Sequence, residues 1–171
     1  LWGGNEARWA ALVIYLLAAV SDFFDGYLAR LWKQQSSLGR MLDPIADKVL
    51  VAVVLLVLCA DDILRGGHIW AAIIILSREV LVSGLREYLG ELQVSVPVTK
   101  IAKWKTAVQM VAIGLLIAGP AGDTVIPHTT IAGITMLWVA AALTLYTGYD
   151  YFRAGIRHVV EDRKSTRLNS S

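Results

Sequence analysis

Charge is scarce in this sequence. Of its 171 residues 18% are charged, against roughly 25% in ordinary soluble domains, while 56% are hydrophobic. The formal net charge of +2 is too small to draw the chain to nucleic acid, and no nucleic-acid partner is expected. Cys59 is the single cysteine, so no internal disulfide can form; inside an apolar run it reads as a small buried hydrophobe. Histidine is nearly as rare. His68, His128 and His158 stand at the ends of apolar runs, without the spacing of metal ligands, and read as interfacial residues. With no zinc-like set and no Ser/His pairing, any displacement chemistry is expected to be direct, without a covalent enzyme intermediate. No internal repeat is visible. No secretory signal is visible either, because the first apolar run leads into acidic residues, not a small-residue cleavage site. The chain starts Leu-Trp-Gly-Gly without methionine, so a preceding piece is expected. Its length fits one domain.

What is abundant is apolar sequence. Five stretches stand out: Trp9 to Val20, Val49 to Ala60, Ile69 to Leu85, Ala107 to Ala118 and Ile131 to Tyr146. Several fall short of the ~20 residues that span a bilayer core, and reach that length by drawing in polar neighbours. The runs are apolar all round, which argues against a soluble helical bundle, where each helix would carry a stripe. The expected fold is all-α, a polytopic transmembrane bundle with about five helices. Positive charge alternates along the chain. The connectors from Asp61 to Gly67 and from Gly119 to His128 hold one basic residue, Arg65. The other segments hold Arg30, Lys33, Arg40 and Lys48, then Arg86, Lys100, Lys103 and Lys105, then Arg153, Arg157, Arg163, Lys164 and Arg167. By the positive-inside rule these segments face the cytoplasm. Trp9, Trp32, Trp70 and Trp104, near run ends, suit an interfacial belt. Gly119 to Asp123 reads as a turn cluster, with His128 closing an external loop. The domain is expected over 1–162, with a polar tail at 163–171 disordered or foreign to the fold.

Against this background one segment is anomalous. Between the first two apolar runs lie Asp22, Asp25, Asp43 and Asp47. Asp22 and Asp25 are three apart and Asp43 and Asp47 four apart, so each pair shares a helical face. Four carboxylates converging at the cytoplasmic ends of adjacent helices repel one another unless neutralised, and hard divalent cations with oxygen ligands remove that cost. Two such ions could bridge a diphosphate and stabilise both attacking and leaving oxygens. Gly26, Ala29 and Gly39 leave room for a bulky ligand beside the backbone, and Arg30 offers a bidentate fork for phosphate. Taken singly, Asp43-Pro44 also fits a helix N-cap followed by Pro at the first helical position, and Asp22 and Asp25 also fit solvated helix-end charges.

The pattern Asp22-x2-Asp25-Gly26-x2-Ala29-Arg30-x8-Gly39-x3-Asp43-x3-Asp47 resembles, at every defined position and spacing, the signature of the CDP-alcohol phosphatidyltransferases. The resemblance implies a membrane enzyme of six transmembrane helices, a homodimer, using Mg²⁺ or Mn²⁺, with two ions expected. It implies attack by an alcohol on the β-phosphorus of a CDP-linked lipid, with release of CMP. Carried over by position, Asp22, Asp25 and Asp43 resemble metal ligands. Asp47 resembles the aspartate that helps hold the second metal and acts as general base. Gly26, Ala29, Arg30 and Gly39, with Asp22, resemble the residues that hold the CDP portion. The family begins with a helix bearing an N-x2-T-x2-R segment, which nothing before Trp9 supplies; the first helix is therefore expected to be missing here.

A second polar constellation bears on the acceptor alcohol. Arg78-Glu79 and Arg86-Glu87 recur eight residues apart, and Lys103-x-Lys105-Thr106 precedes the fourth apolar run. An arginine inside an apolar run is a functional candidate, with an internal Arg78–Glu79 pairing as the alternative. Several cations beside a metal site suit an anionic acceptor. These segments are similar to those of bacterial phosphatidylglycerophosphate synthases, over about Ala18 to Met110, in the R-E-x4-G/A-L-R-E and K-x-K-T-x2-Q-M patterns, with Ala102 where many members have Gly. That likeness implies transfer from CDP-diacylglycerol to sn-glycerol 3-phosphate at a bacterial inner membrane, with the site on the cytoplasmic side among membrane lipids. Arg78, Arg86, Lys103, Lys105 and Thr106 are the acceptor-phosphate candidates. Rival acceptors are inositol phosphate, serine and phosphatidylglycerol. A divalent-cation transporter would want carboxylates near mid-membrane, not at one edge.

Overall fold

The computed structural model describes the backbone of residues 4–32, 37–91 and 100–168. Within these, side chains are described for residues 4–21, 45, 46, 48–90, 101, 104–149 and 151–153. Five α-helices fill the described chain: α1 Asn5–Trp32, α2 Ser37–Ala60, α3 Ile69–Glu91, α4 Lys100–Asp123 and α5 Thr129–Leu168. A 3₁₀ turn, Gly66–His68, leads into α3, and there is no strand among the described residues. Each of the five apolar stretches lies within one helix.

Among the described residues three segments are long and apolar enough to cross a membrane: Gly66–Gly90 (25 residues), Trp104–Asp123 (20) and Thr129–Arg153 (25), with a shorter apolar helix at Lys48–Ala60. The surface matches that reading. Ile14, Leu17, Leu56, Val80, Leu81, Val111, Ile131 and Leu145 are all at least half exposed, an apolar exterior that water would penalise and lipid accepts. Trp70 and Trp104 also point outward. The protein is a polytopic membrane protein.

Helix α4 forms the spine. It runs antiparallel to α5, and small residues set the closeness of the two: a Cβ on Gly133 would lie 2.9 Å from Leu116 Cγ. Such close approach at small residues is how membrane helices gain packing without a hydrophobic driving force. Ala112, Ile113, Leu116 and Ile117 of α4 meet Leu137, Ala140 and Ala141 of α5 in one buried cluster. Leu55 and Leu58 of α2 and Ala71, Ala72 and Ile75 of α3 complete it. From α1, Tyr15 inserts against α4, where its hydroxyl donates to the Met110 carbonyl at 3.1 Å. At the start of α1 Arg8, itself buried, pairs with Asp61 just beyond α2.

Two expectations change. The turn cluster at Gly119–Asp123 is a kink: Gly119 adopts φ 45, ψ −129, and helix resumes through Asp123. Pro120 explains this, because its fixed φ and missing N–H suit the first position of a new helical turn. The chain reverses only at 124–128, where Asp123 accepts from the Thr130 N–H (2.9 Å) and hydroxyl (2.6 Å), tying off the start of α5. Second, α2 begins at Ser37, so Asp43 lies inside the helix and the N-cap alternative falls away. Helix α5 runs to Leu168.

Candidate functional site

The signature residues divide between two helices. Asp22, Asp25, Gly26, Ala29 and Arg30 belong to α1, and Gly39, Asp43 and Asp47 to α2. Their side chains lie outside the described residues, as does that of Lys103. The backbone still fixes their register. Helix is continuous through both pairs, so spacings of three and four residues put Asp22 with Asp25, and Asp43 with Asp47, on one face of their helix. Four carboxylates are the donor chemistry that hard cations take. Among the described residues no group of three or more His, Cys, Asp or Glu gathers that could hold a metal.

The second constellation is seen side chain by side chain. Glu79 of α3 stands between two cations. Its Oε1 takes an ion pair from the buried Lys105 Nζ of α4 and lies 3.6 Å from Arg78 Nη1. Arg78 reaches on to α5, where its Nη2 donates to Thr147 Oγ1 at 2.9 Å. Thr147 in turn donates to the Leu143 carbonyl one turn back, also at 2.9 Å. Gly148 makes room for this arginine: a Cβ there would lie 3.1 Å from Arg78 Cγ. Two turns along α3, Arg86 is exposed; it donates to the Tyr151 hydroxyl at 3.1 Å and lies 5.5 Å from the centre of that ring. Of the acceptor candidates, then, Arg78 and Lys105 are joined through Glu79. Arg86 is held separately by α5, and Thr106 is exposed on α4 beside Lys105.

This network still has open valences. Arg78 Nε, Gln109 Oε1 and Thr144 Oγ1 are buried without a hydrogen-bond partner. Gln109 lies one turn beyond Lys105 on α4, and Thr144 one turn before Thr147 on α5. Beside them a cleft of about 790 Å³ opens between α3 and α5, walled by Trp70, Ile73, Leu81, Tyr149 and Phe152 with Arg78 and Arg153 at its edge. The wall of this cleft is predominantly apolar, and two guanidinium groups are among its lining.

Thr147, Tyr151 and Thr144 belong to none of the sequence motifs, whereas Gln109 is the glutamine of the K-x-K-T-x2-Q-M pattern. Thr144-x2-Thr147, at helical spacing within the last apolar run, was the available signal, since a hydroxyl inside a membrane helix seeks a partner on its neighbour. Arg8 and Asp61, 53 residues apart, carry no local signal of their pairing.

Comparison with known proteins adds an independent line. A model of the CDP-alcohol phosphatidyltransferase family matches residues 1–146. Three curated relatives each bear the name CDP-diacylglycerol–glycerol-3-phosphate 3-phosphatidyltransferase. One from Cereibacter sphaeroides is 41% identical, the match covering 92% of this chain and 86% of the relative. One from Rickettsia felis is 47% identical, covering 86% and 80%. One from Escherichia coli K12 is 40% identical, covering 85% and 78%.

Proposed function

The chain belongs to the CDP-alcohol phosphatidyltransferase family, and from that premise we propose that it is a phosphatidylglycerophosphate synthase of phospholipid biosynthesis. It transfers the phosphatidyl group from CDP-diacylglycerol to sn-glycerol 3-phosphate and releases CMP. The observation that carries this reading is the eight-residue signature from Asp22 to Asp47, set on two consecutive helices of a membrane bundle.

Members of this family generally depend on divalent cations. Asp22, Asp25, Asp43 and Asp47 would hold them here, two Mg²⁺ or Mn²⁺ in this reading, since paired carboxylates on helical faces offer the oxygen donors such ions prefer. When bound, the cations neutralise the diphosphate and the charge that develops on its oxygens. Asp47 takes the proton from the acceptor hydroxyl, and that oxygen attacks the β-phosphorus. The new P–O bond forms as the bond to CMP breaks. Arg30, with Asp22, Gly26, Ala29 and Gly39, holds the CDP portion. The glycines and Ala29 give the nucleotide access to the backbone, and Arg30 meets phosphate through two parallel N–H bonds.

For the acceptor phosphate the reading assigns Arg78, Arg86, Lys103, Lys105 and Thr106. Exposure favours Arg86 for direct contact, whereas Lys105 and Arg78, joined through Glu79, fix the helices around it. The domain spans 1–162, with 163–171 outside the chemistry. The enzyme is a homodimer in the bacterial inner membrane, with its site on the cytoplasmic side where Lys and Arg concentrate.

The test is CMP release from CDP-diacylglycerol in detergent, with sn-glycerol 3-phosphate, inositol phosphate or serine as acceptor, with and without Mg²⁺. The expected result is Mg²⁺-dependent release with sn-glycerol 3-phosphate alone. Release with inositol phosphate instead would keep the family and move the acceptor. No release from folded protein with any acceptor would overturn the assignment.

A further inference from the structure

A buried ion pair lies at the end of the bundle away from the signature. Arg8 is 8% exposed and the Asp61 side chain 10% exposed. Their contact joins the first turn of α1 to the last of α2, where the Asp61 N–H still bonds the Val57 carbonyl (2.9 Å) in helical fashion. The kink in α4 seats the arginine. Arg8 Nη1 lies 2.9 Å from where a Cβ on Gly119 would stand, and Ile63 Cδ1 lies 3.4 Å from the same point. Only a glycine, at φ 45, leaves that space.

Stability alone does not account for such a pair. Two charges withdrawn from water cost several kcal/mol each, and apolar replacements of similar volume are often neutral or stabilising. The attested use of a buried polar pair is to fix register. Here a register waits to be fixed. Fourteen residues separate Arg8 from Asp22 along α1, and fourteen separate Asp47 from Asp61 along α2. At ~1.5 Å per residue each stretch is about 21 Å. The helices run in opposite directions, so pinning Arg8 to Asp61 brings Asp22 and Asp47 to the same level. Asp25 and Asp43, seventeen and eighteen residues from the pair, come level likewise at roughly 26 Å. Fourteen residues are two heptads, so each latch residue also lies within about 40° of its aspartate around the helix. A slip of one turn, ~5.4 Å, would exceed twice the ~2.0–2.6 Å over which these cations bind oxygen. At the other end α1 and α2 are joined through residues 33–36, four in number. The ion pair closes the open end of the hairpin.

We infer that Arg8 and Asp61 are positioning residues for the transfer: a latch about 21 Å from the signature that holds α1 and α2 in the register at which their aspartates share cations. This rests on the role given to the aspartates above, and its test reads that role separately.

The informative variant is Arg8→Leu with Asp61→Leu, which removes both charges and leaves neither stranded. Asp61→Asn alone is the harsher companion. In the full chain in detergent, Mn²⁺ binding is titrated by electron paramagnetic resonance, thermal unfolding is followed, and CMP release is measured where the wild type shows it. The double variant is expected to melt within a few degrees of the wild type yet to bind Mn²⁺ roughly ten-fold more weakly, the scale on which outer partners of metal ligands act. It should need correspondingly more Mg²⁺ for half-maximal release, with KM for CDP-diacylglycerol changing less than kcat. A double variant that unfolds, or that folds with wild-type Mn²⁺ affinity, overturns the latch. Wild-type protein that binds no Mn²⁺ overturns it together with the metal role of the aspartates. Mn²⁺ binding without CMP release from any acceptor sinks the transfer reading and leaves the latch to stand or fall on the titration.

Discussion

Charge is handled in opposite ways at two places in this bundle. On α3 to α5 opposite charges are paired within the protein, with positive charge in excess: Glu79 stands between Lys105 and Arg78, Arg78 spends a further N–H on Thr147, and Arg86 rests on Tyr151. On α1 and α2 the aspartates come in same-sign pairs, three and four residues apart along their helices. Opposite charges paired across helices hold those helices together. A like-charged set raises the energy of the empty protein and is relieved by a ligand. Stability and activity should therefore respond in opposite senses when the two regions are cut.

The largest effect is expected at Asp47. Asp47→Asn should lower CMP release by about 10²–10⁴-fold, the usual loss for a positioned general base. With cations removed by chelator, the same variant should melt at or above the wild-type temperature, because one of four repelling charges has gone. Chelation should abolish release from the wild type, and Mg²⁺ should restore it. A variant that melts well below the wild type in chelator would show that Asp47 belongs to a set of paired opposite charges after all. Glu79→Gln should behave inversely. It strands Lys105, 5% exposed, without its counter-charge, and removal of one partner from a buried pair costs roughly 3 kcal/mol. Unfolding in detergent checks this, and adding Lys105→Met should recover most of the loss. At the kink, Gly119→Ala forces an alanine to φ 45 against Arg8 Nη1, for about 1–2 kcal/mol. Adding Arg8→Leu should return the steric part and leave the backbone part, which separates the two causes.

Much of this architecture was legible in the sequence because the membrane makes composition informative. Runs without stripes could only be lipid-facing helices, and each of the five proved to lie within one. The family was legible for a different reason: eight fixed residues at fixed spacings make a specific signature, and the family model matches residues 1–146. Pairings between distant helices were not legible. Nothing local in Thr147 announces Arg78, and Arg8 and Asp61 are 53 residues apart. Gly119-Pro120 carried a true signal with two readings, a turn or a kink.

Arg86 pairs with α5 and is also the exposed candidate for the acceptor phosphate, and Tyr151→Phe is the smallest cut that tells which it serves. The substitution keeps the ring 5.5 Å from the guanidinium carbon, within reach of a cation–π contact. It removes only the hydroxyl that accepts from Nη2 at 3.1 Å. Interhelical hydrogen bonds in membrane proteins average about 0.6 kcal/mol, and an exposed arginine finds water or a headgroup in exchange, so unfolding should shift by no more than that. If Arg86 exists to hold α3 against α5, Arg86→Ala should cost stability and leave KM for sn-glycerol 3-phosphate unchanged. If it meets the acceptor phosphate, Arg86→Ala should raise that KM about ten-fold or more, the worth of one charge-assisted bond of ~1.5–3 kcal/mol. Tyr151→Phe should then leave KM level or lower it, because a guanidinium released from the tyrosine has one more N–H to give.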